Sequence, residues 1–250
     1  MTQRNLLGML TPSSNTIVEP VVSEMLRSVS HTTAHFSRFE VTQISLDRDA
    51  LNQFQSDRVL AAATLLSHAR VASICWAGTS AGWLGLETDH THCRQIKAAT
   101  GIAATTSTLA LLDAFKSAGV KTYGLVTPYL DDVQENIILN FQQEGFNCVS
   151  ERHLRDRGNF SFSEYGEDII EDMVRKVAAG KPDAIAIFCT NLRGATLADR
   201  LEKELGIPVY DSNSTSVWGG MLAAGLDPSA VKGWGSLFAL KAPNGTSASG

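Results

Sequence analysis

Cys189, Thr190 and Asn191 follow directly on Ala184-Ile185-Ala186-Ile187-Phe188, so an unbroken apolar run stops at a thiol, a hydroxyl and an amide. Such a run reads as a strand buried on both faces of a parallel sheet. Ligands of open α/β sheets bind just beyond the carboxyl ends of the strands, which places the thiol for chemistry. The competing reading is a core cysteine, because free Cys commonly behaves as a small buried hydrophobe. Two other predicted strands also end in polar tips. Residues 5–10 run into Thr11-Pro12-Ser13-Ser14-Asn15-Thr16, and residues 71–77 run into Gly78-Thr79-Ser80-Ala81-Gly82. In the first of these, a helix predicted over 17–28 would aim its free backbone N–H groups and its dipole at the turn, making an anion site. Plain capping by Ser13, Ser14 and Asn15 is the simpler alternative, and both can hold.

The elements that must position these tips are read from periodicity. Residues 39–46 alternate like a second strand, residues 57–70 form an Ala-rich amphipathic helix, and residues 87–99 form another. Thr105 to Thr108 cap a helix that runs to about Ser117. Within the 87–99 helix, Asp89-His90-Thr91-His92-Cys93 has metal-like composition. Helical geometry lets His90 and Cys93 share a face while His92 points elsewhere, so no metal is expected there.

The chain of 250 residues carries 44% hydrophobic and 19% charged residues, with a net charge of −5. That size and balance suit an ordinary globular protein with one large domain or two α/β lobes. The acidic balance and the absence of a Lys/Arg run argue against nucleic acid, and a small anionic substrate needs only one local site. The apolar stretches are strand-sized, so no membrane span is expected, and Pro12 interrupts the N-terminus before a signal-peptide core could form. Four cysteines without paired spacing (Cys75, Cys93, Cys148, Cys189) suggest reduced thiols in a cytoplasm.

A duplication runs through the chain. Tyr123-Gly124-Leu125-Val126-Thr127-Pro128 echoes Leu7-Gly8-Met9-Leu10-Thr11-Pro12, and the strand before Cys189 echoes the strand before Gly78. Leu205-Gly206-Ile207 with Asp211-Ser212-Asn213-Ser214 echoes Thr100-Gly101-Ile102 with Thr106-Ser107-Thr108. Three landmarks in one order, offset by about 105 to 116 residues, imply two similar α/β lobes with parallel sheets related by a pseudo-two-fold axis. The expected division is 1–116 plus 222–241 for the first lobe and 117–221 for the second. The stretch 231–238 would return to the first lobe, with 242–250 as a disordered tail. Such symmetry brings Gly78 and Cys189 face to face across a ligand. One side then offers a thiol and the other no side chain at all, which disfavours a symmetric two-base racemisation.

The chain resembles the Asp/Glu racemase superfamily, in the branch of maleate cis-trans isomerases and arylmalonate decarboxylases, from Gly8 to about Phe238. Pro12-Ser13-Ser14-Asn15-Thr16 and Cys189-Thr190-Asn191-Leu192-Arg193 are similar to isomerase motifs. Gly78-Thr79-Ser80 and Thr127-Pro128-Tyr129-Leu130-Asp131-Asp132-Val133 resemble the decarboxylase, in which the first catalytic cysteine is likewise a glycine. The resemblance implies that a second-lobe cysteine alone protonates the enediolate left when CO2 departs, with no cofactor. Cys75 does not replace the missing first-lobe thiol, because three residues back along a strand is about 10 Å from the tip.

On that basis Cys189 is the expected general acid, which requires a neutral resting thiol. Thr79 and Ser80, with nearby backbone N–H groups, are candidates for an oxyanion hole, each donor of that kind being worth about 3 kcal/mol. Turn capping is their plainer role. The resemblance gives Tyr129 and Asn15 carboxylate-binding roles, with Ser14, Gly78, Thr190 and Asn191 as further contacts, and places Asn159 near a substrate-contacting position of the isomerases. Trp76, Trp83, Leu84 and Phe188 could wall the cleft or simply pack the core. The leading expectation is a cofactor-independent decarboxylase of a substituted malonate. The alternatives are a maleate-type isomerase using Cys189 and a non-catalytic carboxylate-binding protein; a homo-oligomer is compatible with each. A Gly78→Cys change is expected to add racemising activity by filling the bare face.

Overall fold

A computed structural model describes residues 4–47, 53 and 56–243. The first sheet contains β1 (Asn5–Pro12), β2 (Thr32–Phe39), β3 (Ser73–Trp76) and β4 (Ala104–Thr106), in the order β2-β1-β3-β4. The second contains β5 (Thr122–Thr127), β6 (Asn147–His153), β7 (Ala184–Ile187) and β8 (Val209–Asp211), in the order β6-β5-β7-β8. Every pairing is parallel, and the two strand orders match term by term. The duplication read from the sequence is therefore a duplication of topology.

Parallel strands need crossovers, and helices supply them. They are α1 (Val18–Leu26), α2 (Ser56–His68), α3 (Ala81–Leu84), α4 (Leu86–Thr100) and α5 (Ser107–Ala118) around the first sheet. Around the second are α6 (Asp131–Gln143), α7 (Glu167–Ala178), α8 (Ala198–Leu205) and α9 (Ser212–Ala223). Helices α4, α5 and α8 each end on a glycine in the left-handed region (Gly101, Gly119 and Gly206), where a side chain would be strained. In each sheet the chain winds outward in opposite directions from the central pair, β1 with β3 and β5 with β7. The point between those two strands is where an open α/β sheet leaves a crevice.

The two sheets are joined through α9, buried along nearly its whole length and packed against β3, β4 and α5. Its first turns carry hydroxyls instead of charges. Thr215 donates to the carbonyl of Ser107 at 3.1 Å, the Ser107 and Ser216 hydroxyls bond to each other, and Ser73 donates to the carbonyl of Gly220 at 2.7 Å. The segment after α9 touches both halves. Trp218 Nε1 donates to the carbonyl of Leu240, while Ser236 bonds to Glu202 of α8 through its N–H at 2.7 Å and its hydroxyl at 2.9 Å. So 231–238 does not return to the first lobe alone, because Glu202 draws it against the second. The expectation of a disordered 242–250 falls, beyond Pro243, outside the described residues.

One local expectation needs correction. The second strand is Thr32–Phe39, upstream of the alternating stretch at 39–46. Residues 40–46 instead cross the mouth of the cleft, held by the Ile44 N–H on the carbonyl of Arg157 at 3.2 Å and a single bridge between Gln43 and Gly158. In α4, Asp89 and His92 face the core and His90 faces solvent, because Asp89, His92 and Ile96 fall on one stripe. Among the described residues no His/Cys/Asp/Glu group could hold a metal, the four cysteines are unpaired, and no helix is long and apolar enough to cross a membrane.

Among the described residues two carboxyl groups lie fully inside. Burial pushes Asp89 and Asp211 each up to about 7, although Asp211 also caps α9 by accepting the Asn213 N–H at 2.7 Å. A carboxyl that titrates near 7 when folded and near 3.9 when unfolded keeps its proton only in the fold between those values. Its stabilising contribution is complete below about pH 4 and is lost as pH rises through 7. Asp211→Asn, neutral at every pH, is expected to lose a smaller part of its urea midpoint than wild type between pH 5 and pH 8. An unchanged slope would place the titration elsewhere.

Candidate active site

The crevices of the two sheets open onto one small pocket. Pro12 follows from β1, Gly78-Thr79-Ser80 from β3, Tyr129 from β5 and Cys189-Thr190 from β7, and all line it. Gly78 and Cys189 each stand two residues beyond the end of the corresponding strand, which is why they meet. The free space between these walls, about 20 Å³, holds roughly one water molecule.

Hydrogen bonds across the lobes fix this meeting. Asn15 Nδ2 donates to Thr190 Oγ1 at 3.1 Å, and Thr190 Oγ1 donates to the carbonyl of Ala77 at 3.2 Å. The Thr16 N–H donates to Asn191 Oδ1 at 3.0 Å, and Asn191 Nδ2 donates to the carbonyl of Asn159 at 2.5 Å. Asn15 Oδ1 also caps α1 by accepting the N–H groups of Ile17 and Val18, both at 2.9 Å. Asn15, Thr190 and Asn191 are thus brought to the site, but their side chains are engaged in stitching the lobes and capping α1. Ser14 is engaged too, donating to the carbonyl of Val41 at 2.7 Å and accepting from Asn159 Nδ2 at 2.8 Å.

The polar atoms left facing the thiol belong to Thr79, Ser80 and Tyr129. The Thr79 and Tyr129 hydroxyls are 2.7 Å apart, a bond from one lobe to the other. Two hydroxyls sharing one bond retain one proton to donate elsewhere. The Tyr129 ring is held edge-on against Trp83 (centroids 5.1 Å) and Phe162 (5.6 Å), and burial holds its phenol well above its ordinary range.

Cys189 is 3% exposed. Burial pushes its thiol up to about 12, a rise opposed by hydrogen bonding from Tyr129 and the Asn191 N–H and reinforced by Asp211. At neutral pH the sulfur therefore keeps its proton. Nothing like the electropositive setting of a nucleophilic cysteine surrounds it, since among the described residues lining the pocket there is no Lys, Arg or His.

The face opposite the thiol differs from expectation. Gly78 lacks a side chain, yet the space is filled. A Cβ on Gly78 would lie 2.2 Å from Cζ2 of Trp76 and 2.4 Å from its Cε2. Residues i and i+2 of an extended segment share a face, so the Trp76 indole folds over its own strand tip. Gly78→Cys consequently collides with an indole, and the racemising activity expected of it has no room. Trp83 also lines the pocket, while Phe188 packs on Phe141 (centroids 5.3 Å) and against Gly82. Leu84 is part of the helix α3 that carries Trp83.

Sequence reasoning missed Val41 and Ile44, which close the mouth with apolar side chains, because their residues were assigned to a strand. It also missed Arg38, whose Nη1 donates to the carbonyls of Ser13 at 2.9 Å and Asn15 at 3.0 Å and so shapes the first-lobe turn. Asn159 lines the pocket and ties Ser14 and Val41 to the Asn191 loop.

Two matching half-sites at one interface, with a single thiol, define an enzyme of the Asp/Glu racemase-like superfamily. The family model described as arylmalonate decarboxylase matches residues 7–238, and the chain belongs to that family. Arylmalonate decarboxylase of Bordetella bronchiseptica is 28% identical over 145 residues, which span 57% of this chain and 60% of that protein. Maleate isomerase of Pseudomonas putida is 25% identical over 250 residues, spanning 95% of this chain and 98% of that one. Among solved structures, a variant maleate isomerase from Pseudomonas putida with maleate superposes with a TM-score of 0.87 at 22% identity, covering 94% of this chain and 98% of that one. A mutant arylmalonate decarboxylase in its liganded form gives 0.81 at 22% identity, with 94% and 99% covered.

A thiol held near 12 reacts slowly with electrophiles. Iodoacetamide at pH 7 is expected to leave Cys189 largely unmodified over minutes, with the rate climbing tenfold for each pH unit up to about pH 10, read by mass spectrometry of the Cys189 peptide. Rapid labelling at pH 7 would contradict a neutral buried thiol.

Proposed function

We propose that the protein removes one carboxylate from an α-substituted malonate, with Cys189 as the proton donor. The observation that carries this reading is a neutral, buried thiol confronting a wall without any ionisable group. In the reaction, the bond between the α-carbon and one carboxylate breaks and CO2 leaves. The electron pair stays on the α-carbon and spreads into the remaining carboxylate as an enediolate. The Cys189 proton then passes to the α-carbon, and the thiolate regains a proton from water. Thr79, Ser80 and Tyr129 are the donors for the retained carboxylate, whose charge grows as the enediolate forms. Val41 and Ile44 present apolar surface to the departing carboxylate, where an anion is poorly solvated and neutral CO2 is not.

Protonation from the Cys189 side alone makes a single enantiomer the expected product of a prochiral substrate. The unpaired thiols fit a reducing compartment such as the cytoplasm.

A second reading, isomerisation of maleate, is favoured by Asn159 lining the pocket with Ser14 bonded behind it, and by the length over which the isomerases match. A solved Nocardia farcinica isomerase mutant carries a covalently bound succinylcysteine intermediate. For Cys189 to add to a double bond it must first ionise, and its burial opposes that.

Wild type and Cys189→Ser are to be offered vinylmalonate, phenylmalonate, methylmalonate, maleate and aspartate. The expected result is CO2 release from an unsaturated malonate by wild type and a loss of about 10²- to 10⁴-fold in the variant. Fumarate from maleate with no CO2 from any malonate would replace this reading with the second.

A further inference from the structure

We infer that Trp76 sets the size of the α-substituent this site takes, limiting it to small unsaturated groups such as vinyl and excluding aryl rings. The inference rests on the decarboxylase reading and adds to it the class of substrate.

The indole stands where a side chain on the first-lobe strand tip would be, as the 2.2 Å approach to a Cβ on Gly78 shows. It is also fixed there. Trp76 is 1% exposed, its Nε1 donates to Ser80 Oγ at 3.3 Å, and its ring lies against Phe39 with centroids 4.7 Å apart. A ring bonded on one edge and packed against a second, tilted ring is a wall. Its hydrogen bond has a second effect: the indole N–H only donates, so Ser80 Oγ accepts there and its own proton is free to point into the pocket.

The pocket that Trp76 and Cys189 help to line has about 20 Å³ of free space, so any substituent must displace a wall, and an aryl ring, which fills a cavity on the order of 150 Å³, must displace far more than a vinyl group. Beside the Trp76 indole, Trp83 is a second aromatic wall, so this side of the pocket favours a hydrocarbon substituent without leaving room for a large one. The chemistry adds the other limit. The pair of electrons left by CO2 is stabilised when a π bond adjoins the α-carbon, which a vinyl group supplies and a saturated alkyl group does not.

The test compares kcat/KM for vinylmalonate and phenylmalonate in wild type and Trp76→Leu, with Trp76→Phe as the milder variant if Leu impairs folding. Wild type is expected to favour vinylmalonate by at least tenfold, and the smaller side chain to move the ratio toward phenylmalonate by tenfold or more. A ratio that stays within twofold overturns the inference, since a merely structural residue would lower both rates together. Calorimetric binding of the same two malonates separates this failure from failure of the decarboxylase reading. Size-selective binding that Trp76→Leu relaxes, without CO2 from any protein, upholds the role of Trp76 as a size filter and removes the decarboxylase. Equal binding of both by wild type, or binding of neither, overturns the inference. Gly78→Ala provides a check on the steric premise. Its loss of thermal stability is expected to be substantially smaller in the Trp76→Leu background, whereas additive losses would show that the indole does not occupy that space.

Discussion

The site depends on polar contacts between lobes that are made by side chains adjoining the catalytic positions. Asn15 reaches Thr190, Thr190 reaches the backbone of Ala77, and Asn191 spans from the Thr16 N–H to the carbonyl of Asn159. All but the half-buried Thr16 contact are buried, where a polar group left without its partner costs about 1–3 kcal/mol. The stitching therefore favours one relative position of the two strand tips. It also explains why a polar loop does not make a polar pocket. Most of the side chains that sequence reasoning offered as carboxylate ligands satisfy one another, and the hydroxyls of Thr79, Ser80 and Tyr129 are what remains to line the pocket.

Burial has one direction of effect on every ionisable group at this interface. It keeps the proton on Cys189, on Tyr129 and, at mildly acidic pH, on Asp211. The same environment destabilises a carboxylate brought in by a substrate, which is neutralised only if it leaves as CO2 or is met by hydroxyl donors. A substrate with two carboxylates, one placed at the Thr79–Tyr129 pair and the other against Val41 and Ile44, experiences both environments at once. That asymmetry is a physical reason for one carboxylate to stay and the other to go.

Much of the fold was legible because the central strands announce themselves: residues 184–188 are apolar without interruption and residues 71–77 are broken only by Ser73, as suits parallel strands covered on both faces. The duplication was legible because strand ends recur with their turn residues, Thr11-Pro12 with Thr127-Pro128. The edge strand Thr32–Phe39 was not, since one of its flanks lacks a neighbouring strand and it carries His35 and Arg38 among its apolar residues. Cys189, Thr79 and Tyr129 were legible by type and position. The contributions of Trp76, Val41 and Ile44 were not, because a strand alternation says which residues share a face but not how far a large ring folds back along it, nor which loop lies across the opening.

The two halves have diverged in a complementary way. In the first lobe the last strand residue is Trp76 and the tip is Gly78; in the second the matching residues are Ile187 and Cys189. Ile187 packs beneath Gly194, away from the cleft, and leaves its tip free to present a thiol. Trp76 turns over its tip and needs that tip to be glycine. Within the first lobe the indole and the glycine thus require each other, whereas the second lobe carries a smaller strand residue and a thiol at the matching positions. A first-lobe thiol would displace the indole, and without the indole the pocket would lose both its wall and the orientation of Ser80. The one-sidedness of the pocket is then a consequence of packing, in which the volume given up by one strand tip is occupied by the residue two positions before it.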